Sequence, residues 1–467
     1  MKILLVNAPA RSKGHEAIVV PPLGLAYIAA AARQAGFPVS ILDAFAEGLD
    51  VRAFTQRLAA GGPYDVIGFT AMTPVFDTVQ GAIEAARPHA RYTVLGGPHA
   101  TAFRESVLKD NPSLDFAVYG EGEQTFVELL QALDKGSSTP AIAGLVARNG
   151  IGGARDPVKD LDAVPFPARE LLPVRRYRYP LCRPGNMATM ITSRGCPFPC
   201  IFCDKGVFGS SWRARSAENV LAEIDLLVRD FGTRTIVFYD DLFTLKADRL
   251  QQICEGLIAR KYRLTWKAEG RVDIVDPAML ETMRRAGCDM IAYGVESGNQ
   301  AGLDYLRKKT TPDMAVEAFA RTRAAGIKTM GYFILGIPVE TPEDALNTIR
   351  FAVRLNPDYA QFSVLSPLPG TPLYEEAVEK GWYREIPAQN VTDKDKLRPV
   401  AISGNWTEEQ LVSVVRDAHR MFYMRPSYIL KSLLRIRGPR ELCRLGRIGV
   451  GMMKYLLGGL FRARRGS

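Results

Sequence analysis

The feature that most restricts this chain is a repeated alternation between short apolar runs and stretches of helical spacing. Over residues 1–135 the runs lie at 2–6, 39–42, 66–69, 93–95 and 116–119, and residues 23–34, 51–58, 78–86 and 123–133 between them repeat apolar side chains at helical intervals. Strands that follow one another only across helices pair in parallel, with helices on both faces. The expectation is a doubly wound, Rossmann-like parallel sheet. The alternation resumes with strand candidates at 189–193, 235–239, 265–268, 290–295, 329–335 and 361–365, and helices at 217–229, 247–260, 277–286, 312–324 and 342–355. Thr311-Pro312-Asp313 and Thr341-Pro342-Glu343 read as an N-cap, a proline at the first helical position, then an acid. Six such units predict a partial (β/α)6 barrel, with its chemistry at the C-terminal strand ends.

The expected organisation is therefore an α/β chain in four parts. Residues 1–140 form the doubly wound domain, 141–185 a linker, 186–385 the barrel, and 386–467 a small helical extension with a basic amphipathic tail. The linker reading rests on Asn149-Gly150, Gly152-Gly153 and the prolines 165, 167, 173, 180 and 184. Within it Arg175, Arg176 and Arg178 alternate with Tyr177 and Tyr179, a cluster short enough to pack between domains.

Charge narrows the function. The net +10 of the 467 residues belongs to residues 421–467, which hold 11 Lys or Arg and one acid, Glu441. The first 420 residues carry 49 basic and 49 acidic side chains, so the body has no nucleic-acid footprint. The tail sets Tyr428-Ile429-Leu430, Leu433-Leu434, Ile436, Leu442 and residues 452–457 among arginines, too charged and too short in any apolar run to span a bilayer. It suits an interfacial membrane contact or a helical face packed on the barrel. The apolar start, Ile3-Leu4-Leu5-Val6, is too short for an export signal and reads as a first strand, which places the protein in the cytoplasm, with a peripheral inner-membrane contact through the tail.

Strand ends of the first domain suit a ligand rim. They are Asn7-Ala8-Pro9, Thr70-Ala71-Met72-Thr73-Pro74, Gly96-Gly97-Pro98-His99 and Gly120-Glu121-Gly122-Glu123, with glycines that let backbone approach a bulky planar ligand. The histidines are His15, His89, His99 and His419.

Of seven cysteines, Cys182, Cys254, Cys288 and Cys443 are scattered and read as small buried hydrophobes. The other three form Cys196-Pro197-Phe198-Pro199-Cys200-Ile201-Phe202-Cys203, a C-x3-C-x2-C loop. Three thiolates on one loop can hold three irons of a 4Fe–4S cube and leave the fourth open. Zinc competes, but a closed zinc site needs a fourth ligand that no nearby Cys or His supplies.

This loop, with Phe202 before its last cysteine, resembles the signature of the radical S-adenosylmethionine (SAM) superfamily. A doubly wound domain directly before the barrel, with Pro21-Pro22-Leu23-Gly24-Leu25-Ala26-Tyr27, is similar to the cobalamin-dependent class of that family. The resemblance covers about residues 1–400. It implies that Cys196, Cys200 and Cys203 hold a 4Fe–4S cluster whose open iron chelates SAM. It further implies that Asp240 and Asp241 (where the family often has Gly-Gly-Glu), Arg271 and Glu296 contact SAM. Arg271 is the candidate for the SAM carboxylate, with a salt bridge to Glu269 or Asp273 as the alternative, and Glu296 the candidate for the ribose or amine. Arg213 and Arg215 are weaker candidates for SAM or a cobalamin phosphate. Gly331-Tyr332-Phe333-Ile334-Leu335-Gly336-Ile337-Pro338 is similar to the strand beside adenine. The resemblance assigns cobalamin to Asn7, Thr70, Thr73, Gly96, Gly97, His99, Gly120, Glu121 and Gly122. The mutase-type Asp-x-His-x-x-Gly loop is absent, so histidine ligation of cobalt is not expected, and His99 is the histidine expected nearest cobalamin.

The implied activity is C-methylation of an unactivated carbon through a 5′-deoxyadenosyl radical and methylcobalamin, with SAM used twice. The alternatives are a radical SAM cyclisation or rearrangement and a non-catalytic Fe–S protein. The implied partners are a small-molecule or lipid substrate and an electron donor such as flavodoxin or ferredoxin. Catalytic residues acting on substrate are not assignable from the sequence.

Overall fold

The computed structural model describes residues 1–9, 18–137, 141–179, 186–383 and 401–434. His15, Cys182, Cys443 and the tail beyond Leu434 lie outside the described residues.

The first unit is a seven-stranded sheet. Its strands are β1 (Ile3–Asn7), β2 (Val39–Asp43), β3 (Tyr64–Thr70), β4 (Ala90–Gly96), β5 (Phe116–Val118), β6 (Leu145–Ala147) and β7 (Gly150–Ile151), in the order β2-β1-β3-β4-β5-β6-β7. The first five run parallel. Alternation along β1 sends Ile3 and Leu5 to one helix-covered face and Leu4 and Val6 to the other, so both faces are core. The order reverses between β1 and β3, which is where ligands bind in such sheets.

The sequence reading of 141–185 as linker is corrected in part. Leu145–Ala147 pairs antiparallel with β5, and the Asn149-Gly150 turn returns the chain as β7. Turn residues dominate this stretch and hide two very short strands. Farther on, Leu172 and Tyr177 pack with Val19 and Ala26 of the first unit and with Met187 and Val237 of the second. The buried Tyr177 hydroxyl donates to Asp43 Oδ2 at 2.7 Å, and Arg169 reaches Glu223 and the Thr189 carbonyl, each at 2.7 Å. Of the arginine–tyrosine cluster, Tyr177 and Tyr179 pack between the two units, and Arg175, Arg176 and Arg178 stay exposed.

The second unit is a curved parallel sheet of six strands: β8 (Met187–Met190), then, after a short ribbon of β9 (Ser193–Arg194) and β10 (Arg213–Ala214), β11 (Thr235–Phe238), β12 (Thr265–Gly270), β13 (Cys288–Glu296), β14 (Lys328–Leu335) and β15 (Tyr359–Val364). Helices cover its outer face, where Met190, Phe238, Trp266, Ile291 and Phe333 pack. The helices start on the caps read from sequence: Thr311 and Thr341 accept from the third backbone N–H, each followed by proline. The helix Glu408–Tyr423 buries Leu411, Val414, Ala418 and Phe422 against this core. Its Tyr423 hydroxyl both donates to and accepts from Ala360, which satisfies that residue's backbone on the edge strand β15.

Among the described residues, no helix is long and apolar enough to cross a membrane.

Candidate functional site

The cysteine loop leaves β9 at Arg194 and returns at β10. Its start is held by the two aspartates that follow β11. Asp240, 2% exposed, takes the Thr192 N–H at 2.6 Å on Oδ1, and the Thr192 and Ser193 hydroxyls at 2.5 and 2.9 Å on Oδ2. Asp241 accepts the Gly195 N–H at 3.0 Å. Burial pushes both carboxyls up, and these hydrogen bonds oppose it. Sequence reading offered both acids to SAM; the structure turns Asp240 inward, where both oxygens anchor the loop.

The far side of the loop is sewn to the barrel rim: Ile201 N–H donates to Leu306 O at 3.2 Å, and Leu373 N–H donates to Ile201 O at 3.1 Å. Cys200 is buried, Cys196 half-buried and Cys203 exposed. The Cys200 thiol is drawn down, first by its hydrogen bond with Cys203 and then by the Lys308 and Arg271 cations. That bond pushes Cys203 up in turn. Among the described residues no three Cys, His, Asp or Glu groups are placed to hold a single ion. The irons of a cube are separate atoms, so its thiolates need not converge on one point. Three thiols, two flanking cations and no fourth ligand fit a 4Fe–4S cluster better than a closed zinc site.

Two cations face this loop. Arg271, at the end of β12, stacks on Phe198 with 3.6 Å to the ring centroid and pairs with Asp273 at 2.9 Å. It also donates to the Lys308 carbonyl at 2.9 Å. Lys308, which sequence reading missed, pairs with Glu296 at 2.7 Å, both side chains under a tenth exposed. The backbone strains to build this pair. Glu296 ends β13 with φ +66°, past a register break, and Arg307 and Lys309 hold φ +52° and +56° on either side of Lys308. A Cβ at Gly294 would lie 2.3 Å from Glu296 Oε1 and 2.7 Å from Lys308 Nζ, so glycine is what leaves room for the contact. Deeper in the barrel Lys267 pairs with Glu269, and Tyr332 donates to the same carboxylate at 3.3 Å.

A second site lies over the C-terminal edge of the first sheet. It is a cleft of about 790 Å³ when the solvent-open space at its mouth is counted. Thr70, Gly96, Gly97, Gly120, Glu121 and Gly122, all expected at the rim, line it together with Gly24, Tyr27 and Ile28. From the second unit come Arg194 and Phe208, which sequence reading missed. Arg194 binds Glu121 at 2.7 Å and Glu123 at 2.5 Å, and Arg213 binds Glu121 from the other side at 2.5 Å. The Arg194 guanidinium lies over the rings of Tyr27 and Phe208. Arg213 is thus taken up by Glu121, and Arg215 by Glu223 at 2.5 Å.

Three expected rim residues are not in this lining. Asn7 donates to Asp43 at 2.8 Å. His99, 1% exposed, stacks on Phe76 at 3.7 Å and reaches the Thr73 hydroxyl at 3.3 Å. The correction has a local cause: Pro98–Phe103 is a helix, and it turns the ring inward. Burial lowers the His99 pKa from 6.5 to about 4. A group depressed in the folded state stabilises fully above its unfolded pKa. That share, about 3 kcal/mol, is lost as pH falls from 6.5 to 4. Urea midpoints should therefore fall over this window, and fall less in His99→Phe; equal falls would contradict the buried neutral ring.

Known proteins match both parts of the chain. The family model for the Radical SAM superfamily matches residues 190–352, and that for the B12 binding domain matches residues 17–130. An uncharacterised methyltransferase of Pyrococcus horikoshii is 34% identical over 94% of this chain and 96% of its own. The anaerobic magnesium-protoporphyrin IX monomethyl ester cyclase of Rubrivivax gelatinosus is 28% identical over 96% of this chain and 85% of its own. Among solved structures, the cobalamin-dependent SAM radical enzyme OxsB superposes with a TM-score of 0.76 at 19% identity, over 97% of this chain and 71% of that one. The radical SAM methyltransferase TsrM of Kitasatospora setae gives 0.71 at 18% identity, over 91% and 89%.

Proposed function

The chain belongs to the cobalamin-dependent radical SAM enzymes, and on that premise we propose that it methylates an unactivated carbon, consuming SAM both as radical source and as methyl donor. The observation that carries this reading is Arg194. One residue lines the cleft over the first sheet and immediately precedes the Gly195-Cys196 start of the cysteine loop, so the two cofactor sites share a wall.

In this reading Cys196, Cys200 and Cys203 hold the 4Fe–4S cluster. Lys308 and Arg271 hold the SAM carboxylate beside it, and Glu296 takes the ribose or amine. Thr70, Gly96, Gly97, Gly120, Glu121 and Gly122, with Tyr27, Arg194 and Phe208, hold cobalamin. Asp240 and Asp241 position the cysteine loop, and His99 stabilises the fold behind the rim. When bound, the two groups supply one-electron cleavage of SAM and a transferable methyl group. The chain's own residues bind, orient and shield: Lys308 pairs with Glu296 and fixes its carboxylate in place, and the Tyr27 and Phe208 rings wall the cleft against water.

The electron comes from a flavodoxin- or ferredoxin-type donor. The substrate is a small molecule or lipid; among relatives are a hopanoid C-3 methylase and a cytidylyl-2-hydroxyethylphosphonate methyltransferase. The enzyme works in the cytoplasm and touches the inner membrane face through its basic end. Support for that contact is the helix Pro426–Leu434, whose Ile429, Leu430, Leu433 and Leu434 are exposed on one side. Co-sedimentation with phosphatidylglycerol vesicles tests it, and protein left in the supernatant would refute it.

The reaction class is tested by incubating the reduced holoenzyme with SAM and fractionated lysate. Methyl transfer yields 5′-deoxyadenosine and S-adenosylhomocysteine together. Deoxyadenosine without S-adenosylhomocysteine would replace methylation by cyclisation or rearrangement, the activity type the magnesium-protoporphyrin cyclases carry in their name.

A further inference from the structure

We propose that Glu340 is a positioning residue that holds both members of the Glu296–Lys308 pair in place, and through them SAM. The inference rests on the reading of that pair as SAM-binding.

Glu340 is 1% exposed and sits just before the Thr341 cap of the helix Pro342–Leu355. It touches neither the cysteine loop nor the cleft lining. Its Oε1 accepts the Ser297 hydroxyl at 2.5 Å and the Asn299 side-chain amide at 3.2 Å. Ser297 is the residue after Glu296 and is fully buried. Thr348, on the same helix, takes the Gly298 N–H at 3.0 Å and lies 3.2 Å from the Ser297 hydroxyl. The network thus clamps the chain directly behind the strained Glu296 backbone.

The same carboxylate reaches the other partner. A Cβ on Gly302 would lie 2.1 Å from Glu340 Oε1, so the short helix Gln300–Tyr305 rests its glycine on that oxygen. Its chain then turns through Leu306 and Arg307 to deliver Lys308. One side chain therefore sets the strand end that carries the acid and the helix that delivers the base. Two strained backbones meet in an ion pair, which needs a support that fixes both. Oε2 has no partner among the described residues, and burial pushes the carboxyl up. The two contacts on Oε1 ask only for an acceptor oxygen, which an amide would also supply.

The test measures SAM affinity by equilibrium binding to cluster-loaded enzyme, with iron content and melting temperature on each sample. Glu340→Gln keeps the acceptor oxygen and should bind SAM within about twofold of the unsubstituted enzyme. Glu340→Leu and Ser297→Ala should each weaken SAM by about tenfold or more with iron per chain unchanged. Should Glu340→Leu fail to fold, Ser297→Ala and Thr348→Val, each missing only a hydroxyl, decide the matter. Unaltered affinity in those variants, or a glutamine variant as weak as the leucine one, overturns the proposal while leaving the family reading intact. No SAM binding by the unsubstituted enzyme would instead overturn the SAM reading and this inference with it.

Discussion

A Cys200→Ala variant loses SAM cleavage by at least about a hundredfold, the upper range for removing even the groups that merely orient metal ligands. Cys200 is the buried member of the three thiols, and the Lys308 and Arg271 cations favour its thiolate. Its backbone neighbour Ile201 is bonded on both sides to the barrel rim, so the loop cannot shift to recruit another donor. Cys254, buried at the helix Ala247–Arg260, is the control. Cys254→Ala should keep iron and cleavage and cost about 1 kcal/mol in stability. Iron per chain and 5′-deoxyadenosine formation are the two readings. Cleavage retained in Cys200→Ala would remove the cluster assignment.

The second large effect falls on Lys308. Lys308→Met leaves the buried Glu296 carboxylate without its cation, which costs about 3–5 kcal/mol of stability. A Glu296→Gln change made on top of Lys308→Met removes the stranded charge and should return most of that stability, since replacing both partners of a buried pair is often close to neutral. SAM affinity should not return, because two of the three side chains proposed to hold it are gone and Arg271 alone remains. Denaturant midpoints and SAM binding on the single and double variants separate the two roles. A double variant that binds SAM normally would make the pair structural only.

Much of this site was legible in the sequence because its parts are local. The cysteine loop is eight consecutive residues, and the rim of the first sheet is a set of strand ends visible as apolar runs followed by Gly-Gly or Gly-Glu-Gly. The fold was legible for the same reason: capped helices and apolar strands alternate without long interruptions.

What escaped depends on contacts across the chain. Lys308 sits in Arg307-Lys308-Lys309, which reads as a solvated charge run. Only the turn after the helix Gln300–Tyr305, with positive φ on both sides, buries the middle residue. Arg194 stands in sequence between Ser193 and Gly195 with no acid beside it, and Glu121 and Glu123, more than seventy positions away, make it the wall between two sites. Asp240 and Asp241 were placed at the right strand end. Their direction was not legible, because Thr192 and Ser193, which take up Asp240, lie on the neighbouring strand end. His99 and Thr73 follow strands whose other end residues do line the cleft, but short helical turns rotate them into the core.

The most direct test of the account is metal content. The protein is purified anaerobically from cobalamin-fed cells, and iron and cobalt per chain are measured. The account predicts about four irons and about one cobalt. Four irons without cobalt would contradict the assignment of the glycine-lined cleft to cobalamin, and the absence of iron would contradict the account at the cysteine loop itself.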